Sequence, residues 1–199
     1  MLEAALALIG EQGYAGASLR KLAAMVGMAQ PSLYHYFTSK EDLVEQLIET
    51  FAGDMLSLGP MVVPTELEQV PEMVRDLTFS LYQHDTHPLF VRALFAISRS
   101  HPRWGKLLRE IFVDRVEQSM RMLAHPFVQR GDIDEQDAVF LARMMISAIG
   151  LKLMEERVLF EARELGPDVH AYGDFVVATM REVIQTMVAR RRARGDTPS

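Results

Sequence analysis

Between Ala29 and Leu43 the chain reads AQPSLYHYFTSKEDL, a stretch that gathers side chains able to contact a wet, polar partner. Gln30 offers an amide, Ser32 a hydroxyl, Tyr34 and Tyr36 phenols, His35 an imidazole and Lys40 an ammonium, with Arg20 and Lys21 upstream. Amides pair with base edges, hydroxyls and apolar groups read nearby bases, and cations hold phosphates. Aromatic residues also fit pleated surfaces, so a short strand is the competing local reading. A buried strand would waste the polar ends of Tyr34, His35 and Tyr36, whereas a helix facing a polar partner would use them.

The flanking elements decide. Leu2, Ala5, Leu6 and Ile9 fall at helical spacing, and Gly13 ends that first helix. Ser18 is an N-cap for a short second helix, Leu19 to Val26, which Gly27 stops. Pro31 suits the first turn of a third helix, where its missing N–H costs nothing. Ser39 caps a long fourth helix, with Asp42 completing an acidic capping box and Leu43, Leu47, Ile48, Phe51 and Met55 along one stripe. Two short helices joined by VGMAQ and followed by a long one form the pattern of a helix-turn-helix. Leu22, Val26, Leu33 and Phe37 make its small core, so the aromatic run is helical, with Tyr34 and His35 outside.

Residues 4–48, AALALIGEQGYAGASLRKLAAMVGMAQPSLYHYFTSKEDLVEQLI, resemble the DNA-binding headpiece of the tetracycline-repressor (TetR) family of bacterial transcriptional regulators. Gly13-Tyr14, Ser18, Leu22-Ala23, Gly27, the run Leu33 to Phe37 and Ser39-Lys40-Glu41 carry the likeness. The resemblance implies that Arg20, Gln30, Pro31, Ser32 and Tyr34 face bases or their apolar edges. It implies that Ser18, Tyr36 and Lys40 contact phosphates, with His35 at the edge of that set. Met28, Ala29 and Pro31 stand where relatives carry more polar residues, so specificity would lean on apolar contacts and DNA shape.

Charge points both ways. The net charge is -6, yet the three basic residues between Ser18 and Lys40 have no acidic residue among them. Over residues 1–58 there are three basic and seven acidic residues, which predicts few phosphate contacts and modest non-specific affinity. The cluster Arg190-Arg191-Arg192 with Arg194 reads as a solvated helix end, where cations oppose the macrodipole.

The remainder reads as helices at about 66–83, 88–99, 102–124, 134–164 and 170–193, with LGPMVVPT between Leu58 and Thr65 as the clearest loop. The expectation is an all-α chain: a helix-turn-helix DNA-binding domain at 1–45 and a helical ligand-binding and dimerisation domain at 46–199. The family pairs its last two long helices across a two-fold axis, which implies a homodimer here through Leu141, Met145, Ala148, Tyr172, Val176, Met180, Val183 and Met187. Bulky, adaptable side chains would wall an effector pocket: Phe51, Met55, Phe79, Tyr82, Phe90, Leu94, Phe95, Trp104, Leu108, Phe112 and Met144. As a set they suit an apolar or aromatic small molecule.

Other chemistry is poorly served. No cysteine is present, so thiolate metal sites and disulfides are excluded. His84, Asp85, His87 and His101 lie near loops, and a metal site there is outweighed by a plain surface role. No phosphate loop, nucleophile elbow or metalloprotease motif occurs, so neither catalysis nor a cofactor is expected. No apolar run spans a bilayer and no signal-type basic segment opens the sequence, so a cytoplasmic location is expected. The reading is a ligand-switched regulator, most simply a repressor, on a palindromic operator. The alternative is a helical small-molecule-binding protein whose headpiece no longer reads DNA.

Overall fold

The computed structural model describes residues 1–56, 64–100 and 102–194; the side chains of 52–56, Phe112 and Arg194 lie outside that description. Met55, Phe112, His101, Arg194 and most of the LGPMVVPT segment therefore carry no structural account. Every regular element among the described residues is helical. The chain packs as two units.

The first unit holds α1 (Leu2–Gly16), α2 (Leu19–Met25), α3 (Gln30–Leu33), α4 (Lys40–Leu56), α6 (Thr86–Ser98) and α7 (Pro102–Arg109). α1 is two helical pieces joined at Gly13, whose φ of 70° and ψ of 165° suit glycine alone. Its apolar face, Ala5, Leu6, Leu8 and Ile9, is buried, and α6 packs along it. One continuous core runs from Leu22, Leu33 and Phe37 through Leu43, Val44 and Leu47 to Phe90, Ala93, Leu94 and Ile97. The headpiece expected at 1–45 thus shares its core with α6 and α7, and the expected division at 45/46 falls inside α4. Leu6 and Ile9 of α1 are fully buried in the core that Phe90, Ala93, Leu94 and Ile97 of α6 complete.

The second unit holds α5 (Val70–Gln83) after a 3-10 turn at Leu67–Gln69, then α8 (Val116–Gln129), α9 (Glu135–Met154) and α10 (Pro167–Arg194). α9 packs against α5, α8 and α10. α8 continues through HPFVQ, where the sequence suggests a break. Pro126 sits inside it, held because Leu123, Ala124 and Phe127 are buried on one face. The helix expected to reach 164 passes into a π-turn at Glu155–Leu159 and stops at Phe160, where Glu161 takes a φ of 56°. Buried Arg157 pins that turn, donating to the Tyr82 carbonyl at 3.0 Å, the Arg163 carbonyl at 2.6 Å and the Ala162 carbonyl.

His87, in the first turn of α6, is half-buried, and loss of hydration pushes its imidazole down to about 4. A depressed base favours the neutral form in the folded state, so the unfolded chain takes up a proton first as pH falls. Stability is therefore expected to hold above the unfolded value near 6.5 and to fall between about 6.5 and 4, by roughly 3 kcal/mol at most. Urea titrations of wild type and His87→Gln at pH 7.5 and 4.5 check this. An equal loss in both proteins would assign acid sensitivity to other groups.

Candidate nucleic-acid interface

The headpiece is built around a turn that glycine makes possible. α2 begins at Ser18, whose Oγ accepts the Lys21 N–H at 3.3 Å, and closes in a Schellman turn. Gly27, at φ 67°, donates to the Ala24 carbonyl, and Met28 donates to the Ala23 carbonyl at 2.9 Å. The chain then re-enters helix at Gln30 with Pro31 in the first turn.

α3 proper is shorter than the sequence suggests. Beyond Leu33 the run continues as looser turns, with His35 donating to the Ser32 carbonyl and Phe37 to the Leu33 carbonyl. The cause is packing at both ends: Leu33 and Phe37 are buried, and α4 seizes the exit. Asp42 accepts the Thr38 N–H at 2.7 Å and its hydroxyl at 2.9 Å, while Ser39 Oγ accepts the Asp42 N–H at 3.0 Å. The Asp42 carboxyl is held low, first by the Thr38 backbone bond. Gln46 reaches back to donate to the Tyr36 carbonyl at 3.1 Å.

What this frame presents is a polar face. Gln30, Pro31, Tyr34, His35, Tyr36 and Arg20 are exposed, and Ser18 and Ser32 are half-buried. Lys40 behaves differently. Its ammonium donates to the Tyr14 carbonyl at 2.8 Å and the Ala17 carbonyl at 3.2 Å, and lies over the Tyr14 ring. The Tyr14 hydroxyl donates to Glu41 Oε1 at 2.7 Å. Burial and that bond push the phenol up to about 12, while the same bond holds the Glu41 carboxyl low.

The residues expected around an effector divide between the units. In the first, Phe90, Leu94 and Trp104 are buried core, Phe51 and Leu108 are half-buried, and Phe95 is exposed; the Phe51 and Phe90 rings stand 5.7 Å apart. In the second, Phe79 and Tyr82 are buried and Met144 faces outward at 54% exposure. The second unit contains an apolar cavity of about 40 Å³ walled by a different set, including Val74, Leu123, Phe127, Leu141, Met145 and Ile184. Among the described residues, no charged side chain lines it.

Of the residues expected at a dimer interface, Leu141, Met145, Val176 and Met180 are buried within the second unit, while Ala148, Val183 and Met187 are half-buried and Tyr172 is exposed. The outward apolar side chains are others: Phe140 (52% exposed), Met144 and Leu151 (61%) on α9, and Phe175 (67%) on α10. Phe140, Met144, Ser147 and Leu151 recur at helical spacing, a signal present in the sequence that the inner stripe masks.

A helix-turn-helix with an exposed, carboxylate-free α3 face is the class of this headpiece. Residues 1–47 match the family described as bacterial regulatory proteins, tetR family. The Bacillus subtilis fatty acid metabolism regulator protein is 26% identical over 148 residues, 73% of this chain and 75% of that protein. The structure of FadR from Bacillus subtilis in complex with stearoyl-CoA matches with a TM-score of 0.68 at 19% identity, covering 90% of this chain and 95% of the other. A TetR-family regulator from Pseudomonas syringae pv. tomato DC3000 matches at 0.61 and 20% identity, covering 92% and 91%. Among helix-turn-helix regulators and repressors matched at 31–39% identity, the alignments span 26–40% of the relatives' own lengths. The headpiece is therefore that of the tetR family, and the chain has the all-α fold of tetR-family regulators.

Proposed function

We propose that this protein is a homodimeric, ligand-responsive transcriptional regulator, acting as a repressor on a palindromic duplex. The observation that carries the reading is the polar face of α3 and the turns that follow it: Gln30 on the helix and Tyr34, His35 and Tyr36 just beyond it are exposed together after the Gly27 turn, with no acidic residue between Ser18 and Lys40. A two-fold dimer sets two such helices about one DNA turn apart, so each reads one half-site. The outward stripe of Phe140, Met144, Leu151 and Phe175 supplies the self-complementary surface, with the buried Leu141, Met145, Val176 and Met180 behind it.

The effector is apolar. The second-unit cavity is walled by aliphatic side chains and one phenyl ring, and a fold relative was solved with stearoyl-CoA. A cavity of about 40 Å³ holds little more than a water-sized group, so binding must open it. An effector that favours the open, DNA-incompetent state shifts the population by its differential affinity for the two states, and by no more.

Selection from random duplexes tests the proposal. Retained sequences should converge on a two-fold palindrome, Gln30→Ala should relax one base position in each half-site, and Tyr34→Phe should alter a neighbouring one. Discrimination at the glutamine position should fall by about 1–3 kcal/mol. Retention without a consensus, vanishing with salt, would sink the regulator reading and favour a small-molecule-binding protein with an inactive headpiece.

A further inference from the structure

Three cations, Arg20, Lys21 and Lys40, serve the headpiece up to the first residue of α4, and two of them make contacts inside it. The last carbonyls of a helix have no intrahelical donors, and their negative dipole end attracts cations. At the end of α1 these groups are met by two ammoniums. Lys21 donates to the Gly16 carbonyl at 2.8 Å and to Gln12 Oε1 at 2.6 Å. Lys40 donates to the Tyr14 and Ala17 carbonyls, and its nitrogen lies 4.1 Å from the centroid of the Tyr14 ring. An ammonium has three donors in all. Two of Lys40's lie on carbonyls, and an aromatic face attracts the remaining charge. Tyr14 is tied in turn to Glu41 through its hydroxyl. Residues 14–17 are thus fastened to residues 40–41, and the segment between them is the one that contains α2 and α3.

We propose that Lys40 is a positioning residue that closes this loop and sets the pose of α3, and that it makes no phosphate contact. Arg20, exposed and without an intramolecular partner among the described residues, is then the headpiece cation available to DNA. The inference rests on the DNA-binding reading above and departs from the phosphate role that the family resemblance implies for Lys40. Its consequence is a shallow salt dependence. Each neutralised phosphate contributes about -0.9 to the slope of log affinity against log salt, so one arginine per protomer gives a dimer slope of about -2. Strong binding must then come from hydroxyl, amide and apolar contacts.

The test uses the full chain, mixed-sequence duplex DNA and the palindrome from selection, each across a range of salt concentrations. Lys40→Met and the milder Lys40→Gln should lower the melting temperature and weaken binding to both duplexes, with the salt slope unchanged. Arg20→Gln should leave melting unchanged and flatten the slope by about 2. In a Tyr14→Leu background the melting loss from Lys40→Met should shrink, because its partners on the clamp are already disturbed. A flattened slope in Lys40→Gln, with melting intact, overturns the proposal in favour of a phosphate contact. No change in melting or slope overturns it as well. If wild type binds neither duplex, the DNA reading fails, and the melting and coupling data alone decide the clamp.

Discussion

Phe37→Ala should unfold the DNA-reading surface. Phe37 is 1% exposed, at the point where the turn after α3 meets α4, packed in the core that includes Leu22, Leu33 and Leu47. Truncating a buried phenylalanine to alanine costs about 3–5 kcal/mol, from lost burial plus the cavity left behind. Domains carry only about 5–15 kcal/mol in all, so much of the first unit's margin would go. Urea unfolding should show the loss, and binding to the selected palindrome should disappear at temperatures where α-helical circular dichroism is still largely present. Phe37→Leu, which keeps most of the volume, should cost less than about 1.5 kcal/mol and retain binding. Equal losses for the two variants would show that ring volume at this site does not hold α3 in place.

The second large effect concerns assembly. Leu151→Glu with Phe175→Glu places two carboxylates on the outward apolar face of α9 and α10, where wild type has side chains 61% and 67% exposed. A two-fold interface repeats each substitution, so four charges would be buried against apolar surface or against one another. Sedimentation should show a monomer that retains its helix content and melting behaviour, because neither position is part of the chain's own core. Affinity for the full palindrome should fall on the order of 100-fold or more, since two linked half-site contacts become independent ones. Binding to a single half-site should barely change. Leu141→Glu with Met145→Glu is the contrast: both positions are buried within the unit, so that variant should misfold rather than dissociate. A stable dimer after Leu151→Glu with Phe175→Glu would move the interface elsewhere.

The contrast between those two pairs shows what the sequence could and could not reveal. Helix periodicity places apolar residues on faces, and α9 and α10 each carry two apolar faces. Periodicity does not say which face turns inward within one chain, and the richer stripe through Leu141, Met145, Val176 and Met180 proved to be the chain's own core. The headpiece was legible because its signals are local: the Ser18 and Ser39 caps, the Gly27 turn and the Pro31 start are each satisfied within a few residues. The intramolecular contacts of Lys40 were hidden for the opposite reason. Its partners are carbonyls of residues 14 and 17, and backbone atoms leave no trace in a residue pattern. The π-turns at Glu110–Arg115 and Glu155–Leu159 were likewise invisible, since a single-turn bulge beside an α-helix leaves the helical residue pattern around it intact. Nor does a residue pattern give burial: of the bulky side chains expected to wall an effector pocket, Phe90, Leu94 and Trp104 are buried in the core of the first unit, and Phe79 and Tyr82 are buried in the second.

The core shared between α1 and α6 sets a rule for anyone recombining such proteins. A chimera that joins residues 1–45 to a foreign body keeps every helix-turn-helix residue yet leaves the Leu6–Ile9 face without its own cover. The portable module is discontinuous: it comprises α1 to α4 together with α6 and α7, elements separated in the chain by the whole of α5. Exchanging operator specificity between relatives therefore calls for grafting the exposed residues of α3, because the seam that looks natural in the sequence cuts through a single folded core.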